Sequence, residues 1–597
     1  MSSLTSGTSG GRFWRRLGSM GMVSLLLAVC WSCLTGDSGT DSGRIHLSWW
    51  QSSGSCAEAV PDITAIRVSL AGTVGGTPLL LNTQTVPVAD NSLVVSAVPL
   101  GEDVELTVTS WGEDKNAGPV HFGRTSRMQL ETGDDRHESV ALHRYAAPSC
   151  IEGVTGRPNV MFPTATLLPD GRVLIAGGFA KLKDAGPRFE LTGPNSAAYV
   201  YDPADGSLRQ TKNLMNKGRG AHAAAYLPAS GLMLLVGGSE QMYLEKDHEC
   251  FPWYFQKDKA GSVAFSYELF DPETEEFLQW DSGWPDISND LHQKAYRIFP
   301  MISVNSDGSA LVTGGGTWPS CETEMEMGHQ YQIAEFYRPA TEDEAGGFVD
   351  THGALTMTTI RSGHAAVTLT SEAGLSQHLF WGGTAGGSVA ETYRESSAQM
   401  DGVYGAFSAI SFADDGAYKR RPYFHTLTAL GDHSALLIGG VRSSKGQLKV
   451  PSANDAYHVR LTDDALEVKA IEDLGVGRYF HTAATSDGVN AFIFGGFSST
   501  VMGEDDYFSD IAASDLRLFR YSSEQLWESD LDQPPFPLGG AASVGLASGC
   551  VLMAGGVDSV PTGLEFGPDH VPLKVQVFCP SYVCPSSMWE GGCYGAN

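Results

Sequence analysis

Basic residues are scarce in this sequence: 39 Lys and Arg stand against 69 Asp and Glu, a formal net charge of −30. No Lys/Arg cluster survives past the first residues, so the surface that phosphate neutralisation requires is missing, and nucleic acid is excluded as a partner. Charged residues make up only 18% of the chain while hydrophobic ones reach 42%, a balance that belongs to globular and not to disordered proteins. Long apolar runs are also missing. The one stretch of note, "MGMVSLLLAV" from Met20 to Val29, is too short to span a bilayer comfortably. Catalytic signatures are equally thin. There is no phosphate-binding glycine loop, and the histidines of "HESVALH" and "HEC" lack the i, i+4 spacing of a zinc-protease helix. "GEDD", Gly503 to Asp506, reads as a solvated acidic loop without an EF-hand pattern.

What is present begins with a leader. Arg12, Arg15 and Arg16 precede the apolar stretch, and "CWSCLTGDSGTDSG" follows it. A positive start, a short apolar core and a cysteine ahead of a small, polar linker resemble a bacterial lipoprotein signal. The resemblance implies a diacylglycerol on Cys33, which has the small Ser32 before it. Cys30, with Leu27 at the aliphatic place, is the alternative. Leu34 instead of aspartate after Cys33 implies sorting to the outer membrane. The expected layout is a signal over 1–33, a linker over 34–43, a β-sandwich over 44–147 and the rest of the chain over 148–597. Export makes disulfides the default for the eight remaining cysteines, Cys56, Cys150, Cys250, Cys321, Cys550, Cys579, Cys584 and Cys593.

The dominant signal is repetition. An aliphatic run ending in Gly-Gly recurs seven times: "RVLIAGG", "LMLLVGG", "SALVTGG", "QHLFWGG", "SALLIGG", "NAFIFGG" and "CVLMAGG". Ahead of each lies an alternating segment closed by Asp-Gly or a similar pair, as in "FPTATLLPDG" and "FHTAATSDG", which is the pattern of a hairpin. A third, often tyrosine-bearing segment follows ("AAYVYDP", "YELFDP", "AEFYRP"), then a fourth in places, such as "EEFLQW" and "SEQLWE". Repeats of this length and strand content specify radially packed sheets. The glycine doublets, aromatic third strand and later Trp resemble kelch repeats over about Arg157 to Pro580, which implies a seven-bladed β-propeller.

An arginine stands before six of the first strands (Arg157, Arg219, Arg297, Arg361, Arg421 and Arg478), and a histidine opens four (His222, His364, His425 and His481). Buried groups of this kind need partners, so bonds to loop carbonyls or neighbouring blades are expected. The triplet Tyr423-Phe424-His425 returns as Tyr479-Phe480-His481. Galactose and glyoxal oxidases are built on kelch-like propellers and hold copper through tyrosines and histidines. That likeness makes Tyr423, His425, Tyr479 and His481 the copper candidates, and strand alternation would put Tyr and His on one face. Copying of the triplet in successive units speaks for scaffold, and no cofactor is expected.

Before the repeats, segments such as "ITAIRVSLAG" and "VPLGEDVELTVTSW" alternate in the manner of a small immunoglobulin-like β-sandwich. Two sets of disulfides follow from topology: Cys250 with Cys321, on equivalent loops of adjacent blades, and Cys150 with one of Cys579, Cys584 or Cys593, where the ring must close. A strand near Cys150 is expected to complete the seventh sheet. The functional expectation is an exported, membrane-anchored module that recognises a protein or a glycan through the loops after the doublets. The longest of these carries Phe251, Trp253, Tyr254 and Phe255. A copper-radical oxidase and a structural spacer of a surface assembly are the alternatives.

Overall fold

The computed structural model describes residues 42–579 with interruptions, the longest being 52–61, 246–252, 255–262, 279–296, 317–331, 413–421, 499–510, 529–537 and 558–572. Every named element is a β-strand.

The first seven strands are β1 (Gly43–Gln51), β2 (Ala65–Val74), β3 (Thr77–Val86), β4 (Ser92–Val98), β5 (Val104–Trp111), β6 (Pro119–Arg124) and β7 (Asp135–Arg144). They join edge to edge in the order β3-β2-β5-β6-β7-β1-β4, with β1 parallel to β7 and the other pairings antiparallel. The alternation read from sequence decides the core. Ile45, Leu47 and Trp49 of β1 pack with Ile66, Val68 and Leu70 of β2 and with Val104, Leu106 and Val108 of β5. The sheet thus curls over one apolar interior, while the two halves of the sandwich stay bonded through β6 and β7.

Eight four-stranded antiparallel sheets follow among the described residues, and seven of them form a ring. The innermost strands of these seven are Thr164–Leu167, Ala223–Leu227, Met301–Val304, Ala365–Thr370, Thr426–Leu430, Thr482–Thr485 and Ala542–Gly545. Each touches the next, and the seventh touches the first, so the ring is closed. Closure is made by both ends of the repeat region. Strand β8 (Pro148–Cys150) pairs with Val575–Phe578 and supplies the outermost strand of the seventh sheet, in the place expected near Cys150. A cross-strand disulfide, Cys550–Cys579, sits beside that seam. Cys579 is therefore joined to Cys550 within the seventh sheet and is not the partner of Cys150. The reason is register: Val551 pairs with Phe578, which brings the two flanking cysteines face to face. The bond closes a loop over a separation of 29 residues, a constraint of about 3–4 kcal/mol on the unfolded chain. Cys150 is itself disulfide-bonded. Cys56, Cys250, Cys321, Cys584 and Cys593, like Cys30 and Cys33, lie outside the described residues.

The N-terminal sheet is seated on the rim of the ring. Trp50 Nε1 and Ser139 Oγ both donate to the Ala204 carbonyl, at 2.9 and 2.8 Å. The Trp50 ring lies over Gly206, where a Cβ would overlap it. Tyr201 OH meets His143 Nε2 at 3.1 Å, and Phe122 of β6 belongs to the same apolar cluster as the first and seventh sheets.

Candidate functional site

Within each sheet the connections differ sharply between the two faces of the ring. One face carries tight turns, such as Asp202 to Ser207 and Asp271 to Glu276. The other carries the glycine doublets and every long connection, including Gly178 to Ala198, Gly238 to Tyr267 and Gly496 to Leu516.

The doublets are the joints of that loop face. The second glycine donates its N–H to the carbonyl of the next sheet two residues ahead of a left-handed residue. Examples are Gly178 to Arg219, Gly238 to Arg297, Gly440 to Arg478 and, across the seam, Gly556 to Val160. The first glycine has positive φ and no room for a Cβ: at Gly177 one would lie 2.4 Å from the Arg219 carbonyl and 2.7 Å from the His222 ring. Only glycine satisfies both demands.

Arginines lock four of the doublets from within. Arg219, Arg297, Arg361 and Arg478 are fully buried and donate to the first glycine's carbonyl of their own sheet, Gly237, Gly314, Gly382 and Gly495. Three also meet a third-strand carboxylate: Glu268 at 2.6 Å, Glu335 at 3.0 Å and Glu391 at 2.5 Å. The fifth sheet departs from this pattern in its backbone bond. Pro422 occupies its sheet's equivalent place, accepting from Gly383 as Arg478 accepts from Gly440. Arg421 and Arg157 lie outside the described residues, and Val160 holds the corresponding place in the first sheet.

The histidines reach sideways. Nε2 of His222, His364 and His481 bonds the hydroxyl of Thr164, Thr313 and Thr426 in the preceding sheet, at 3.0, 3.1 and 2.8 Å. Each ring fills the notch left by that sheet's first glycine, Gly177, Gly314 or Gly439. His425 fills the notch at Gly382, beside the carbonyls of Pro422 and Trp381. Burial holds all four imidazoles neutral: those of His222 and His425 are pushed down to about 3, helped by Arg219 and Arg361 respectively. His364 and His481 fall well below the ordinary value for the same reason, reinforced by Arg361 and Arg478.

Between the arginine and histidine places, one residue per sheet adopts a left-handed backbone: Phe162, Ala221, Phe299, Gly363, Phe424, Phe480 and Gly540, with φ between 50° and 71°. This overturns the alternation expected for Tyr-Phe-His. The triplets precede their strands, which begin at Thr426 and Thr482, and a left-handed middle residue breaks the period of two. Backbone bonds link these residues around the axis: Ala221 donates to Phe162, Phe299 to Ala221, Phe424 to Gly363, Phe480 to Phe424, Gly540 to Phe480 and Phe162 to Gly540. A phenylalanine at positive φ is costly. Four converging rings offset that cost, with centroids 4.3 Å apart for Phe424–Phe480, 4.8 Å for Phe162–Phe480, 5.1 Å for Phe162–Phe299 and 5.4 Å for Phe299–Phe424. They plug the loop-face end of the axis.

Above the plug lies a second sheet that periodicity alone did not announce. Strands Phe179–Asp184 and Arg188–Pro194, from the first sheet's long connection, pair with Met242–Glu245 and Trp253–Tyr254 from the second's. Phe179, Leu182, Leu191 and Met242 join the plug in one apolar cluster. Trp253 and Tyr254 form the outer strand of this crown, paired with Leu244 and Tyr243. Phe251 and Phe255 lie outside the described residues.

The four copper candidates are all buried. Tyr423 and Tyr479 form isolated bridges to Val441 and Phe497 and sit buried in the apolar cluster. His481 commits Nε2 to Thr426, and Phe424 and Phe480, the middle residues of the two triplets, stack on each other. Among the described residues no group of three His, Cys, Asp or Glu is placed to hold a metal ion.

No family model and no curated protein matches the chain. Among solved structures, it is similar to a fungal alcohol oxidase of the AA5 family in complex with copper. That likeness has 14% identity over 74% of this chain and 78% of the oxidase, with a TM-score of 0.45. It is also similar to YjhT, with 13% identity over 71% of this chain and 96% of YjhT and a TM-score of 0.37.

Proposed function

We propose that the chain is an exported recognition module, anchored by lipid at a bacterial outer membrane, that binds a protein or a glycan on the loop face. The observation that supports this reading is the crown. All long connections gather on one face, and two of them build a sheet that ends in an aromatic strand above a sealed axis. Aromatic residues at a sheet edge suit stacking on a sugar ring or a partner hot spot.

A glycan array probed with the chain from Leu34 onward tests the recognition reading. Binding should appear and weaken at least tenfold when Trp253 and Tyr254 are both replaced by Ala, with the unfolding temperature unchanged. A silent array combined with cross-links only to other envelope proteins would favour the spacer. Stoichiometric copper in chain prepared with the metal supplied would revive the oxidase. For the anchor, cells expressing the full chain and fed a palmitate analogue should label it and hold it in the membrane fraction. Cys33→Ser should abolish both, and loss only in Cys30→Ser would move the lipid to Cys30.

A further inference from the structure

The N-terminal sheet ends on one side at β4, which is hydrogen-bonded along β1 and has no second neighbour in the strand order among the described residues. Such edges are ordinarily blunted by charge or proline. Ser92–Val98 contains neither. A left-handed Ala97 disturbs the register with β1 at the far end, leaving Ser92–Ser96 regular. Along it burial alternates: Ser92, Val94 and Ser96 point outward, Val95 is buried and Leu93 half-buried. Val94 is 47% exposed, and of the six large hydrophobic side chains exposed among the described residues, Leu80, Val88 and Val94 all fall between the start of β3 and the end of β4.

The five regular residues read almost alike in both directions, Ser-Leu-Val-Val-Ser forward and Ser-Val-Val-Leu-Ser reversed. We propose that β4 pairs antiparallel with β4 of a second copy of this chain, about a two-fold axis through Val94. Ser92 then faces the partner's Ser96, Leu93 faces the partner's Val95, and Val94 faces the partner's Val94. Apolar cross-strand pairs of this kind stabilise a sheet, and an isologous contact demands such self-complementarity. Charge points the same way. Copies of a chain with net charge −30 repel each other over most of their surfaces, and repulsion is weakest at a neutral strand. In the row behind it, Val94 is paired with His46, which stacks on His137 at 4.5 Å and meets the Asp135 carboxylate at 2.8 Å. An unrelated strand could take the same backbone bonds, but nothing in its sequence would be matched in advance to this one.

Light scattering on the chain from Leu34 onward, over a concentration series from low micromolar upward, should show a monomer giving way to a dimer. Val94→Lys sets two ammonium groups opposite each other and should weaken dimerisation at least tenfold without lowering the unfolding temperature, because the side chain is half in solvent. Val94→Thr, uncharged and β-branched, should keep the dimer. The amides of Ser92, Val94 and Ser96, which point away from β1, should be protected from hydrogen exchange in the dimer alone. A chain that stays monomeric throughout with those amides exchanging fast would overturn the proposal and leave the edge for another protein's strand. A dimer indifferent to Val94→Lys would overturn it by placing the interface elsewhere.

Discussion

Acidification should unfold this protein well before its carboxylates titrate, with stability falling steeply between pH 6.5 and 4. The cause is a set of histidines buried in neutral form. Desolvation pushes His121, His143 and His378 down to about 4 and His222 and His425 to about 3, from an ordinary value of 6.5. Because the folded values are depressed, the unfolded chain binds protons that the native chain refuses as pH drops below 6.5. Unfolding is therefore favoured progressively until the folded values are reached. At pH 5 each such histidine costs about 2 kcal/mol, and five of them roughly 10 kcal/mol, which is comparable to the whole stability of a typical domain. Glu138, raised by burial, works in the opposite direction and is a single group. Calorimetry at pH 7, 6 and 5 should show the unfolding temperature dropping at each step. Replacing His222 with Gln keeps a side-chain partner for Thr164 and should flatten the stability profile by up to about 1.4 kcal/mol per pH unit. An unfolding temperature that holds steady from pH 7 to pH 5 would show that these imidazoles take up protons as readily in the native state as in the unfolded chain.

The same histidines show how far the sequence could be read. Their recurrence at one place per repeat is visible in the letters, and so is the conclusion that they serve the scaffold. What they touch is not, because Thr164, Thr313 and Thr426 are paired with them across sheet boundaries that only closure of the ring creates. Doublets and hairpins were legible for a different reason: a hairpin's partners are neighbours in sequence, and Gly-Gly marks a torsion other residues rarely adopt. The phenylalanine plug was hidden because periodicity reports which side chains alternate and carries no sign of φ. Phe424 and Phe480 therefore read as strand residues when they are left-handed. Counting back from His425 by composition finds an arginine, but the hydrogen bond from Gly383 fixes Pro422 as the structural equivalent. The crown was the least legible element. Its central pairing joins Arg188–Pro194 to Met242–Glu245, two insertions in different repeats with no shared pattern.

Breaking the buried ion pair of the fourth sheet should be among the most damaging single changes available in this chain. Arg361 and Glu391 have no solvent exposure in either side chain and lie 2.5 Å apart. Arg361 also donates to the carbonyls of Gly382, Val389 and Ser388, while Glu391 accepts from the backbone and hydroxyl of Thr358 at 2.6 and 2.8 Å. Every atom that desolvation would penalise thus has a partner, which is the condition under which a buried pair holds. Glu391→Gln preserves shape and removes the charge, leaving a guanidinium enclosed among carbonyls. Denaturant unfolding should register a loss of about 3–5 kcal/mol, the range for an uncompensated buried ion. The double variant Arg361→Met with Glu391→Leu removes both charges and should lose less than the sum of the singles, the difference measuring their coupling. It should not recover fully, since the Gly382 carbonyl at the joint to the fifth sheet would lose its donor. Additive singles would mean that the pair is energetically two independent hydrogen-bond hubs. The doublet would then be held chiefly by its backbone bond from Gly383 to Pro422.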